Sequence, residues 1–174
     1  MHETKEDLQR LQRLLDASYR AAGAHLQEVI TPERRLEAAD LVSMLDGMGL
    51  LVLATVTADG RPITGAVDGI FFRGAFHFGS SPESVRFRHL RTRPACSATH
   101  LPGEQLAVSV HGRAQLIDVN AAEHAAFRSC LVDEIYVPRY GPEWEQILDA
   151  GAVYARIDAE RMFTFWMPDP SFEG

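Results

Sequence analysis

A chain of 174 residues is long enough to bury one substantial core and suits a single domain. Its formal charge of −7 excludes broad binding along a nucleic-acid backbone, which needs clustered Lys and Arg. No apolar run approaches the length of a membrane span, and the charged residues 1–7 lack a signal-peptide core, so a cytoplasmic protein is expected.

Leu8, Leu11, Leu15, Tyr19, Ala22, Leu26 and Ile30 recur at three- and four-residue steps, which predicts an amphipathic helix over 8–30. Gly23 weakens its middle. Thr31-Pro32-Glu33 stops that helix and starts a second, with Thr31 as N-cap. Leu36, Ala39, Met44 and Leu45 line this second helix, and Gly47 and Gly49 end it. Residues 1–48 are thus an N-terminal helical extension, whose apolar stripes must pack on the main fold or on a second subunit.

The pattern then changes to short strands with turn punctuation. Strands are predicted over 50–57, 62–72 and 75–79, joined by Ala58-Asp59-Gly60 and Arg73-Gly74. Gly65 and Gly69 suggest a bulge or a close approach by a ligand. A short helix opens at Ser81-Pro82 and runs to about 90, followed by strands over 95–100 and 105–117. Asn120 with Glu123 reads as a capping pair for a helix reaching about 132, and Pro142 begins another. Strands over 153–157 and 161–167 close the chain. Six or seven short strands and so few helices among them predict a small closed or half-open antiparallel barrel over 49–170.

The stretch from Phe78 to Leu90 carries the chemistry. A strand ends at Gly79, whose missing side chain lets a ligand approach the backbone. Ser80, Ser81 and Ser84 supply hydroxyls, the helix start supplies free N–H groups, and Arg86 and Arg88 lie near the same end. Together they suit one phosphate. The same residues also read as an ordinary Ser-capped helix with solvated arginines. Neither a P-loop nor a G-x-G-x-x-G following a strand is present.

Cys96 and Cys130 fall in different elements and read as small buried thiols, not a disulfide framework. His77, His89, His100 and His111 lie in four elements without a carboxylate cluster, so no metal site is expected. His111 is the one best placed to line a pocket. Asp68 could bond a ring or a substrate, or be a solvated carboxylate; Trp166 could stack near a ring or fill the core. No Ser-His-Asp or Cys-His grouping and no acid–base carboxylate pair stands out, so the catalytic residues are unknown.

Several pieces occur in a characteristic order: Leu53-Ala54-Thr55-Val56, Asp59-Gly60-Arg61-Pro62, Phe76-His77-Phe78-Gly79-Ser80, Ser84-Val85-Arg86 with Leu90 and Pro94, Val110-His111-Gly112-Arg113-Ala114, and 161–166. Over roughly 41–167 the chain resembles the pyridoxamine 5′-phosphate oxidase-like, FMN-binding split-barrel superfamily. The resemblance implies a mainly β, α+β fold: a six- to seven-stranded antiparallel split β-barrel with short peripheral helices. It implies a homodimer with the cofactor between subunits and a small-molecule substrate, without nucleic-acid or membrane partners. Ser84 and Arg86 match the ends of the family's S-R-K phosphate signature, with Val85 replacing its middle Arg. Gly65, Ala66, Val67 and Asp68 match the strand facing the flavin ring, and Gly79-Ser80 matches a cofactor-approaching pair. His111 and Trp166 complete the expected cofactor set. The family's R-L-H-D-R substrate motif has no counterpart, which argues against pyridoxamine phosphate oxidation. The function implied is an FMN-dependent oxidoreductase, the cofactor doing the redox chemistry. The alternatives are F420 on the same fold, with Arg88 and Arg91 widening the basic groove, or a non-catalytic flavin- or heme-binding protein.

Overall fold

The computed structural model describes residues 2–167, so the last three positions of the anticipated 49–170 barrel lie outside the described residues. In β1 (Met48–Val56), buried Leu51, Leu53 and Thr55 alternate with exposed Leu50 and Val52, which commits one face to a core and the other to the surface. β1 pairs antiparallel with β2 (Pro62–Phe72) across the Asp59-Gly60 turn, where Gly60 adopts φ +87°. β2 turns into β3 (Ala75–Ser80) through Arg73 and Gly74, both at positive φ, the tight turn whose twist matches its flanking strands.

With β4 (Ala95–His100), β5 (Leu106–Ile117) and β6 (Val153–Trp166), the sheet closes in the order β1-β2-β3-β6-β5-β4 and back to β1. Six strands form, because 153–157 and 161–167 belong to one. It continues through a bulge at Glu160, the extra residue between the pairs Gly112↔Ala159 and His111↔Arg161. Glycine is required at 112, since a Cβ there would overlap the Asp158 carbonyl oxygen.

The helix predicted over 8–30 is two helices, α1 (Lys5–Arg20) and α2 (Ala24–Val29). Gly23 takes an extended conformation and becomes the N-cap of α2. The second predicted helix also shortens. The Thr31 side chain makes no cap bond, Pro32–Arg34 is one 3₁₀ turn, Arg35 is extended, and α3 (Ala38–Met44) follows. Gly47, at φ +74°, follows this helix, whereas Gly49 lies inside β1 with the His100 ring filling the space of a Cβ.

These N-terminal elements pack on the barrel. β3 pairs with β6 only as far as Arg156, so one edge of β6 is open from Arg161 onward. α1 closes it: Met162 N–H donates to Ser18 Oγ and Thr164 N–H to Tyr19 Oη, both at 2.9 Å. Thr164 Oγ1 in turn accepts from Leu36 N–H at 2.9 Å. Buried Leu11, Leu15 and Leu41 share one core with Leu51, Phe78, Val108 and Met162 of the barrel.

A helical excursion between β5 and β6 covers the outer face of β2, β3 and β6. It comprises a 3₁₀ turn (Ala122–His124), α5 (Ala125–Ser129), a π-helix (Cys130–Tyr136), α6 (Val137–Tyr140) and α7 (Glu143–Asp149). Phe127, Leu131, Ile135 and Leu148 pack on Ile70, Phe72 and Tyr154 there. Asn120 does not cap this excursion. Ala121 holds that position, and Asn120 Oδ1 accepts from Arg128 Nε at 3.2 Å. The helix expected to end near 132 instead continues through the π turn.

Candidate functional site

The helix after β3 begins three residues later than predicted, as α4 (Val85–Thr92). Ser81 C=O accepts from Ser84 N–H, which makes 81–84 a turn, and Ser84 Oγ then caps the helix by accepting from Phe87 N–H at 3.4 Å. The N–H groups of Val85 and Arg86 have no partner among the described residues, the ordinary state of a first helical turn. Buried Phe87 and Leu90 hold α4 on the barrel core, and Thr55 Oγ1 bonds His89 Nδ1 at 3.0 Å.

Arg86 ties three elements together. Its Nη1 donates to Ser80 Oγ and its Nη2 to the Ala66 carbonyl, both at 3.3 Å. The guanidinium passes over Gly65, where a Cβ would stand 3.2 Å from Nη2. Beside it lies a cleft of about 250 Å³ lined by Leu53, Thr55, Ile63, Thr64, Gly65, Ser84, Val85 and Arg86. Hydroxyls, free amides and a guanidinium fork thus converge where a β2 side chain is missing, which is the donor set and space that a phosphate needs.

Gly65, Ser84 and Arg86 line this cleft, and Ser80 and the Ala66 carbonyl connect to it through their bonds to Arg86. The other anticipated residues lie elsewhere. Ser81 is exposed outside the cleft, and Val67 points into the core at 5% exposure. Gly79 offers no opening to a ligand, because the Tyr154 ring occupies its side-chain space, 2.7 Å from an ideal Cβ. Tyr154 donates its hydroxyl to Tyr136 Oη at 3.2 Å. Burial, with Tyr136 and Asp68 close by, holds its phenol well above the usual range. Half-buried Asp68 belongs to this tyrosine pair's surroundings and not to the cleft. His111 stands exposed on β5 with Nδ1 bonded to Ser97 Oγ at 2.8 Å, and Trp166 packs against the main core at the end of β6. Neither lines the cleft within one chain. Arg91 holds the Pro82 carbonyl at 2.9 Å.

The outer face of β1, opposite the Leu53 and Thr55 side chains that line the cleft, is apolar. Leu50 (64% exposed), Val52 (51%) and Leu101 (61%) stand on the barrel exterior, and Val52 is flanked by small neighbours, Ala66 and Thr99. A larger cavity of about 950 Å³ lies away from the cleft, between α1, the β2–β3 turn and α5. Four arginines and four carboxylates line it, so its formal charges balance.

The four histidines weighed from sequence are dispersed, each bonded within its own surroundings. Burial against Phe127, with Arg156 and His124 nearby, pushes His77 down to about 4. One grouping was not visible from sequence. His2, Cys130 and Glu134 place one ligand atom each within 4.8 Å of one another. Cys130 and Glu134 are four apart on one helix, but nothing in the sequence brings His2 to them.

No family model and no curated protein matches the chain. Solved structures do. A conserved hypothetical protein of Mycobacterium tuberculosis superposes with TM-score 0.64 at 22% identity, over 82% of this chain and 96% of that one. HutZ, the heme storage protein of Vibrio cholerae, gives 0.59 at 18%, over 76% and 94%. An FAD-binding protein of Mesorhizobium loti gives 0.55 at 20%, over 75% and 93%. The chain shares the split-barrel fold of these structures. Identities at this level establish the shared architecture, and chemistry on this fold has to be argued from the site.

Proposed function

We propose that this split-barrel protein binds a flavin-type cofactor, FMN in the first instance, by its phosphate in the Arg86 cleft, and serves as an oxidoreductase for a small molecule. The observation that carries the reading is the Arg86 fork, held over Gly65 by Ser80 and the Ala66 carbonyl and flanked by Ser84 and two free amides. Ser84 spends a lone pair on its cap and keeps its O–H to donate. When bound, FMN supplies hydride acceptance at its ring, so the chain need not encode an acid–base pair. The residues' task is to hold the phosphate, orient the ring and exclude water.

Ile63 lines the cleft and is 44% exposed, and a second copy of the chain covering that side would bury it and sandwich the ring. His111 and Trp166, outside the cleft in one chain, contribute only if that second copy delivers them. The FAD-binding relative in fold agrees with a flavin, whereas the heme storage relative names the main competitor.

The test is an absorption spectrum of the purified protein, repeated after adding FMN, F420 or heme. The two-banded spectrum of oxidised flavin, shifted on binding and released on denaturation, supports the proposal. Uptake of F420 or heme without FMN moves the chemistry to that cofactor, and binding of none removes the proposed function while leaving the fold.

A further inference from the structure

We propose that His2, Cys130 and Glu134 form a binding site for one divalent ion of the zinc class, fastening the N-terminal segment to the π-helix. His2 Nε2 and Glu134 Oε2 stand 3.2 Å apart, and the Cys130 sulfur lies within 4.8 Å of both. Metal–ligand bonds of roughly 2.0–2.3 Å give tetrahedral edges of about 3.3–3.8 Å. The nitrogen–oxygen pair already spans such an edge. The His2 and Glu134 side chains are 28% and 55% exposed, so rotation about their own bonds can close the remaining distance to the sulfur. One nitrogen, one thiolate and one carboxylate are the mixed donors that zinc accepts, with a fourth position left to water.

Two ligands sit on the π-helix, a rare wide turn that recurs at functional sites and brings positions four apart nearly above one another. The third comes from the N-terminal segment, the His2 ring lying 5.0 Å from that of Phe72. On binding, the thiol S–H bond breaks, a sulfur–metal bond forms, and one proton leaves to solvent. This site shares no residue with the Arg86 cleft and stands independently of the flavin reading.

The test is equilibrium dialysis of the full chain against Zn²⁺, and against Co²⁺ with its electronic spectrum recorded. One ion per chain is expected, with a thiolate-to-cobalt charge-transfer band in the near ultraviolet. His2→Ala and Glu134→Gln, both at partly exposed positions, should each weaken binding by about tenfold or more. Cys130→Ser should abolish the band, and Cys96→Ser should leave it intact. Failure of the wild type to take up an ion in stoichiometric amount would overturn the site. So would binding that survives unchanged in both His2→Ala and Glu134→Gln, which keeps the test open even if Cys130→Ser misfolds.

Discussion

Tyr19→Phe tests whether α1 closes the open edge of β6. The substitution removes one oxygen and leaves the ring, so the packing against Phe163 and the Arg35 guanidinium, 4.4 Å from the ring centre, is preserved. What is lost is the acceptor for the Thr164 N–H, the donor to the Thr164 carbonyl at 3.1 Å and the bond to Thr164 Oγ1 at 2.7 Å, all buried. Thr164 Oγ1 keeps its bond from Leu36 N–H, while the backbone N–H and carbonyl of Thr164 lose their Tyr19 partner. A buried, unsatisfied donor costs about 1–3 kcal/mol. Stability should therefore fall by about 2 kcal/mol, and Tm by roughly 4–8 °C for a chain of this size. Urea denaturation of wild type and variant, followed by far-UV circular dichroism, measures it. Ser18→Ala orphans the Met162 N–H in the same way and should cost a similar amount. A Tyr19→Phe variant within about 0.5 kcal/mol of wild type would refute the closure, because surface substitutions alone produce changes that small.

Other positions give independent tests. Gly79→Ala puts a methyl into the Tyr154 ring and should destabilise by about 1–3 kcal/mol, measured by the same denaturation; an unchanged midpoint would mean that the glycine's space is open. His77 is held neutral, at about 4 against an ordinary 6.5, by its burial beside Phe127, Arg156 and His124. Its penalty is absent above the unfolded value and grows as pH falls toward about 4. Stability should drop by about 1.4 kcal/mol per pH unit on that account, and His77→Phe should flatten the profile there. Burial pushes the Cys96 thiol up to about 11, so alkylation in the native state at mildly alkaline pH should be far slower than in urea. Equal rates would contradict its burial.

Strands were legible wherever alternation and turn chemistry coincided. The bounds of β2 and β4 follow from Pro62, the Arg73-Gly74 turn and Pro94, because such residues restrict the backbone locally. The elements that differ depend on long-range partners. Glu160 reads as a break between two strands, and only the β5 register makes it a bulge. Ser81-Pro82 reads as the helix start, and a turn through the Ser81 carbonyl moves the cap to Ser84. The π-helix has no periodicity signal separating it from an α-helix.

The site divides along the same line. Ser84 and Arg86 stood out as phosphate candidates because phosphate recognition draws on few residue types, whereas Gly65, anticipated to face a ring, lies under the Arg86 guanidinium. Gly79 was not, since a sequence shows that a side chain is missing but not which neighbour fills the gap. His111 and Trp166 lie away from the cleft, one bonded to Ser97 and the other packed on the core, partners that their places in the sequence did not show.

The Arg86 cleft is tested most directly by titrating FMN into wild type and Arg86→Ala while following quenching of flavin fluorescence, with Arg13→Ala as a control at an exposed arginine of α1 outside the cleft. Removing a guanidinium from a phosphate should cost about 2 kcal/mol or more, roughly thirtyfold in Kd. The account predicts tight quenching in wild type, near-wild-type binding by Arg13→Ala, and at least that loss in Arg86→Ala with an unchanged far-UV spectrum. Equal FMN affinity in wild type and Arg86→Ala would contradict it.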